Sequence, residues 1–180
     1  MTQDSIYSLF VRFIIKSTLL FFVFTFSNGR IIGQMKISPG AESFKIYLPM
    51  LEDKKVGVVA HQASLLFNKI ENQHLVDFLV KNEVDVKKIF APEHGFRGKA
   101  DAGEKIRDYY DDKTGIPIIS IYGKNKKPSK ENLKDIDIVI FDLQDVGVRF
   151  YTYISTLHYV MQSCAELKIP IIVLDRPNPN

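Results

Sequence analysis

The segment Ala91–Gly98 (APEHGFRG) places a carboxylate, an imidazole and a guanidinium within a few residues of one another, at Glu93, His94 and Arg97. Pro92 ends any regular element before it, and Gly95 and Gly98 permit tight turns. Glu93 is thereby held at a rigid exit beside Phe96, where a carboxyl group could act as a general acid. The plain alternative is a salt bridge from Glu93 to Arg97 or His94, and the residue types leave both readings open. A second polar cluster follows an apolar run: Asp142, Gln144, Asp145, Arg149, Tyr151 and Tyr153 within FDLQDVGVRFYTYI. Asp142 lies inside the run and reads as a structural hydrogen-bond acceptor. Asp145 stands just beyond it and is the better chemical candidate. Arg149 suits a nearby carboxylate, and Tyr151 and Tyr153 either pack or stack on a sugar. In LDRPNP (Leu174–Pro179), Asp175 and Arg176 read most simply as a structural pair. His61, His94 and Asp145 could also surround a metal ion, but no HExxH or paired-His spacing supports that.

These residues need a scaffold that gathers them. Lys55–Ala60, Val86–Ala91, Ile116–Tyr122, Asp137–Leu143 and Pro170–Leu174 are short apolar runs rich in Val and Ile, and read as buried strands. Between them, Asn72–Lys81 has helical spacing with Asn72 as its cap, and Ser129 caps a short helix through Leu133. Tyr151–Leu167 reads as a helix with Ile154, Leu157, Met161, Cys164 and Leu167 on one stripe. Residues 93–114 show no period, and Ala41–Leu51 reads as helical. Strands apolar on both faces and separated by helices imply an α/β fold: a Rossmann-like, doubly wound, mostly parallel sheet. In such sheets ligands bind beyond the carboxyl ends of the strands. The polar residues named above, with His61, Gln62, Ser64, Tyr122 and Lys124, lie at or just after strand ends, apart from Tyr151 and Tyr153 in the first turn of the helix. Neither GxGxxG after a strand nor a P-loop occurs, so the fold class brings no nucleotide, and no cofactor is expected.

The chain has 180 residues, of which 24 are basic and 21 acidic, for a net charge of +3. That balance gives no footprint for nucleic acid. Cys164 is the single cysteine, which excludes an intrachain disulfide. Arg12 and Lys16 precede an apolar stretch, Thr18–Phe26, which is followed by Ser27, Asn28 and Gly29, the pattern of a secretory signal peptide cut after Gly29. The expected product is secreted or periplasmic, with membrane contact only if the segment remains as an uncleaved anchor. Residues 1–29 are therefore set aside, residues 30–54 read as a lead-in, and residues 55–180 as the Rossmann-like domain.

The ordered set APEHGFRG, DAGEK (Asp101–Lys105), IPIISIYGK with Lys127-Pro128, FDLQDVGVRFYTYI and LDRPNP resembles the NamZ-type exo-β-N-acetylmuramidases. The resemblance runs from about Lys55 to the C-terminus. It implies a secreted or periplasmic glycosidase that releases N-acetylmuramic acid from the non-reducing ends of peptidoglycan fragments, so peptidoglycan-derived saccharides are the expected partners. It implies Glu93 as catalytic acid, and His94, Arg97, Asp101, Tyr122, Gln144, Asp145, Arg149 and Tyr153 as residues lining the cleft. Asp145 is the expected second carboxylate. The family usually carries Asn-Gln-Thr or similar after the first strand, where His61-Gln62-Ala63 stands here. Its members continue past LDRPNP into a smaller C-terminal domain, and this sequence reads as truncated before it. The rival expectations are a non-catalytic cell-wall sugar-binding domain, an inactive fragment, and the metal-dependent hydrolase built on His61, His94 and Asp145.

Overall fold

The centre of the sheet is the strand whose residues have no polar face. In the computed structural model, which describes residues 12–18, 37–67, 72–98 and 109–180, β1 (Val56–Ala60) is buried at all five positions. It pairs in parallel with β4 (Val86–Ala91) on one side and β7 (Ile138–Asp142) on the other. β6 (Pro117–Ser120) adds to β4, and β8 (Ile171–Val173) adds to β7, both in parallel. The edge strand β5 (Tyr109–Tyr110) runs antiparallel to β6, giving the order β5-β6-β4-β1-β7-β8. From β1 the chain winds outward through β4 to β6, then returns to β1's other flank for β7 and β8. That reversal is the topological switch point of a doubly wound α/β sheet.

Period-two alternation divides the core between two faces. Val58, Ile89 and Ile140 pack on one side with Leu75, Leu79 and Phe96. Val59, Phe90 and Phe141 pack on the other with Leu133, Val160 and Cys164. The first face is covered by α2 (Leu75–Lys81) and by residues 40–51, which form two 3-10 turns around the short helix α1 (Phe44–Tyr47). Ala41, Tyr47 and Leu51 are part of this core. The second face is covered by α3 (Lys130–Leu133), capped by Ser129 as its sequence indicates, and by α4 (Tyr153–Leu167).

Three expectations are corrected in detail. Asn72–His74 is not the start of a helix but strand β3, antiparallel to β2 (Leu65–Phe67). The helix begins at Leu75, and its cap is His74, whose Nδ1 accepts from the backbone N–H of Val76 at 3.2 Å. Helix α4 starts at Tyr153, not Tyr151, and its inward face is turned by one residue from the expected stripe. Tyr153, Thr156, Val160, Ser163 and Cys164 are buried, whereas Ile154 and Met161 are exposed. Thr156 and Ser163 can face inward because their hydroxyls donate to the carbonyls of Thr152 at 3.2 Å and Pro128 at 2.9 Å. A hydrophobicity stripe cannot see polar residues satisfied in this way.

The chain divides into the units Met1–Lys36 and Ile37–Asn180. Within the first, residues 12–18 are helical. The apolar run at residues 19–29, and Asp101 with the rest of DAGEK, lie outside the described residues. Among the described residues, no helix is long and apolar enough to cross a membrane.

Candidate active site

The site grows out of the pairing of two strand ends. Beyond the last residues of β4 and β6, the backbone N–H of Ile121 still donates to the carbonyl of Ala91 at 2.9 Å. The next residues of each strand, Pro92-Glu93 and Tyr122, therefore leave the sheet side by side. Pro92 stops β4, and Gly95 N–H closes a turn onto the Pro92 carbonyl at 3.1 Å. His94, the third residue of that turn, has φ +70°, a left-handed conformation in which a non-glycine residue is uncommon. Such outliers gather at functional sites because the surrounding structure must hold them.

Glu93 is half-buried, and its Oε1 accepts a hydrogen bond from the Tyr122 hydroxyl at 2.7 Å. That bond is the main reason the Tyr122 phenol ionises above the ordinary tyrosine range. Tyr153, at the first turn of α4, is likewise raised, chiefly by burial and then by the neighbouring Tyr151 and the Glu93 carboxylate. Glu93 and Tyr153 thus share one electrostatic environment above the sheet. Tyr153 meets Tyr151 edge-on at 4.8 Å and His61 edge-on at 5.1 Å. His61 follows β1 and is buried; burial, then the charges of Arg176 and His74, and further that of His94, push its pKa down to about 4. It is a neutral imidazole at physiological pH. Residues from the ends of β1, β4 and β6 and from the start of α4 converge here around one carboxylate.

Beneath them lies a support layer. Asp142, at the end of β7, is fully buried and bound in fork geometry by Arg176, with Nε–Oδ1 at 2.6 Å and Nη2–Oδ2 at 2.9 Å. Arg176 Nη2 also donates to the carbonyl of Leu65 at 3.0 Å, and the Ser64 hydroxyl donates to the carbonyl of Asp142 at 2.7 Å. The partner of Arg176 is therefore Asp142, not its neighbour Asp175. His74 Nε2 donates to the carbonyl of His61 at 2.9 Å, so the two backbone contacts of this ring fix its neutral tautomer.

Other residues expected in the cleft have definite assignments. Arg97 does not pair with Glu93. Its guanidinium forks onto Asp77 (2.8 and 3.2 Å) and Asp111 (3.0 and 2.8 Å), and it lies over the Phe96 ring. Burial alone would raise Asp111, but hydrogen bonds from Arg97 and Thr114 outweigh it and hold the carboxyl at about 2. Arg97 is thus a clamp between α2 and the turn after β5. Phe96 is buried against His74, and belongs to the core rather than to a lid over Glu93. Gln144 donates to the carbonyl of Pro177 at 2.6 Å. Asp145 accepts from the N–H of Gly147 at 3.2 Å and from Asn178 at 3.4 Å, which shapes the loop after β7. Gly147 has φ +69°, and a Cβ there would meet Asn178 at 2.9 Å. Arg149 is exposed, and among the described residues no carboxylate holds it. His61, His94 and Asp145 do not form a metal-holding group, since no three His, Cys, Asp or Glu side chains converge among the described residues. Sequence reasoning missed the Tyr122–Glu93 contact. Its only signal was that both residues follow apolar runs which a parallel sheet could place next to each other.

The family described as "Exo-beta-N-acetylmuramidase NamZ, N-terminal" matches residues 56–180. The peptidoglycan beta-N-acetylmuramidase NamZ of Bacillus subtilis (strain 168) is 46% identical over 134 residues, which cover 74% of this chain and 32% of that protein. Two crystal structures of DUF1343 family proteins from Bacteroides fragilis NCTC 9343 share the fold. One has a TM-score of 0.66 and 42% identity over 79% of this chain and 35% of its own. The other has a TM-score of 0.68 and 38% identity over 81% and 36%. The chain spans about a third of the length of these relatives. With a family model matched over residues 56–180 and a sheet shared with these solved structures, the chain belongs to the NamZ exo-β-N-acetylmuramidase family, of which it carries the N-terminal domain.

Proposed function

We propose that this chain is part of a glycosidase that releases N-acetylmuramic acid from the non-reducing ends of peptidoglycan fragments, with Glu93 as its catalytic acid. The observation that carries this reading is the Glu93 carboxyl group at the sheet's carboxyl rim, met among the described residues by a neutral phenol and by no cation. In the reaction, Glu93 gives its proton to the glycosidic oxygen as the bond from that oxygen to the anomeric carbon breaks. Water supplies a hydroxyl group to the carbon, and its remaining proton goes to a carboxylate. Asp145 is the second carboxylate in this scheme, and its loop contacts at 3.2 and 3.4 Å leave lone pairs open to water. The lactyl carboxylate of the substrate needs a cation. Arg97 is committed to Asp77 and Asp111, so the role falls to Arg149. Tyr151, which is exposed, offers an aromatic face to the sugar, and the buried Tyr153 packs edge-on against that ring. Export directed by residues 1–29 would place the protein where such fragments are found.

The test is hydrolysis of a chromogenic N-acetylmuramic acid glycoside by the chain and its Glu93→Gln variant, each with and without EDTA. Turnover that needs Glu93 and ignores EDTA supports the reading. Near-normal turnover by the Gln variant sinks the acid role. Sugar binding that survives with no hydrolysis by the unmodified chain favours a non-catalytic binding domain. Loss of turnover in EDTA would point to a metal-dependent hydrolase.

A further inference from the structure

The contact between Tyr122 and Glu93 has a task separate from holding a sugar. The Tyr122 hydroxyl donates to Oε1 of Glu93 at 2.7 Å. Among the described residues no other hydrogen bond or ion pair holds that carboxylate, so Oε2 is uncommitted. The backbone of Glu93 is fixed independently by Pro92, by the bond from Gly95 N–H to the Pro92 carbonyl, and by the left-handed His94. The tip of the side chain would still turn about three single bonds without a second restraint. Tyr122 supplies it from the neighbouring strand end, which the bond between Ile121 and Ala91 holds in place.

We infer that Tyr122 is a positioning residue whose hydroxyl fixes one oxygen of Glu93, so that the other oxygen is presented to the glycosidic bond. The inference rests on the reading of Glu93 as the catalytic carboxyl group. The chemistry of the donor matters. A guanidinium binds both oxygens of a carboxylate, as Arg176 does with Asp142, and leaves neither for reaction. A phenol binds one and brings no charge. Among the described residues, Tyr153 feels the charge of Glu93, and His94 adjoins it in the chain. Neither makes a hydrogen bond to it among the described residues. Proton transfer needs the donor oxygen within hydrogen-bond reach of the leaving oxygen, so a loosened carboxyl lowers turnover more than binding.

The experiment compares the unmodified chain, Y122F, E93Q and the double variant on the chromogenic muramic acid glycoside. Loss of the hydroxyl should lower kcat by about 10- to 100-fold while KM stays within about twofold. The double variant should be no slower than E93Q, because Tyr122 acts only through Glu93. A rise in KM at unchanged kcat, or an equal further loss in the E93Q background, would make Tyr122 a substrate contact and overturn the inference. A second readout needs no turnover. The raised ionisation of the Tyr122 phenol comes first from Glu93, so NMR of isotope-labelled tyrosine should show it titrating at lower pH in E93Q. A Tyr122 signal that E93Q leaves unmoved also overturns the inference. Near-normal turnover by E93Q, in contrast, would end the reading of Glu93 while leaving the NMR result to judge the contact.

Discussion

Asp142 and Glu93 stand at the ends of the two strands that flank β1, yet the fold treats them in opposite ways. Asp142 is fully buried, and a guanidinium bonds both its oxygens. Glu93 is half-buried and, among the described residues, receives a single bond, from a neutral hydroxyl. A carboxylate matched by a buried cation is chemically finished and serves to join loops. One that is restrained without being neutralised keeps an oxygen for work. The arginines repeat the contrast. Arg97 and Arg176 are both clamped by carboxylates, while Arg149 stands exposed on the loop before α4.

The sharpest way to break this comparison is to exchange expected phenotypes. Glu93→Gln should lower turnover by about 10³-fold, equivalent to about 4 kcal/mol of transition-state stabilisation, and leave the thermal unfolding midpoint nearly unchanged. A clear drop in that midpoint would show that Glu93 is structural after all. Arg176→Ala should do the reverse, destabilising the fold by about 3–5 kcal/mol because Asp142 is left as an unpaired buried charge. Chemical denaturation reads this directly, and a change under about 1 kcal/mol would mean that water reaches Asp142.

His61 sharpens the comparison on the pH axis. Its pKa in the fold is pushed down to about 4, against the unperturbed value of about 6.5 in an unfolded chain. Between those values the unfolded state binds the extra proton. Stability is therefore fully present above about pH 6.5 and declines as pH falls toward 4, by about 3 kcal/mol for this residue. His61→Asn should flatten that slope in unfolding experiments, leaving the part due to His74, whose pKa is lowered in the same direction. An unchanged slope would place the charge-sensitive group elsewhere. The smallest effect is expected at Arg149. Arg149→Ala should raise KM about tenfold, close to 1.4 kcal/mol, with little change in kcat. The difference should vanish on a glycoside that lacks the lactyl carboxylate.

The sheet was legible because β1 and β7 are buried on both faces, a pattern that a two-sided parallel sheet demands, and because β4, β6 and β8 are short runs containing Val or Ile. The hairpin of β2 and β3 was not, since Asn72-Gln73-His74 has no apolar alternation and each strand has only three residues. β5 has two residues within a polar stretch and escapes any periodic reading. At the site, Glu93 and His61 were readable as residues just after strands, and Tyr153 as a residue in the first turn of a helix. Their partners did not. Arg97 reaches Asp77 and Asp111, at separations of 20 and 14 residues, and Tyr122 reaches Glu93 at 29. Local spacing favoured pairs within one segment, whereas the parallel sheet joins residues a crossover apart.

The bond from Ile121 to Ala91 carries a wider consequence. Glu93 and Tyr122 lie in the turns just beyond this bond, two residues after Ala91 and one after Ile121, so the spacing between carboxylate and phenol is set by the ladder together with those short turns. An inserted residue in β6 would turn the phenol to the opposite face of the sheet, and one in the Pro92–Gly95 turn would move the carboxylate, while the loop after β7 contributes to neither position. If Glu93 is the acid proposed above, its alignment and the contacts of the β7 loop can therefore vary independently.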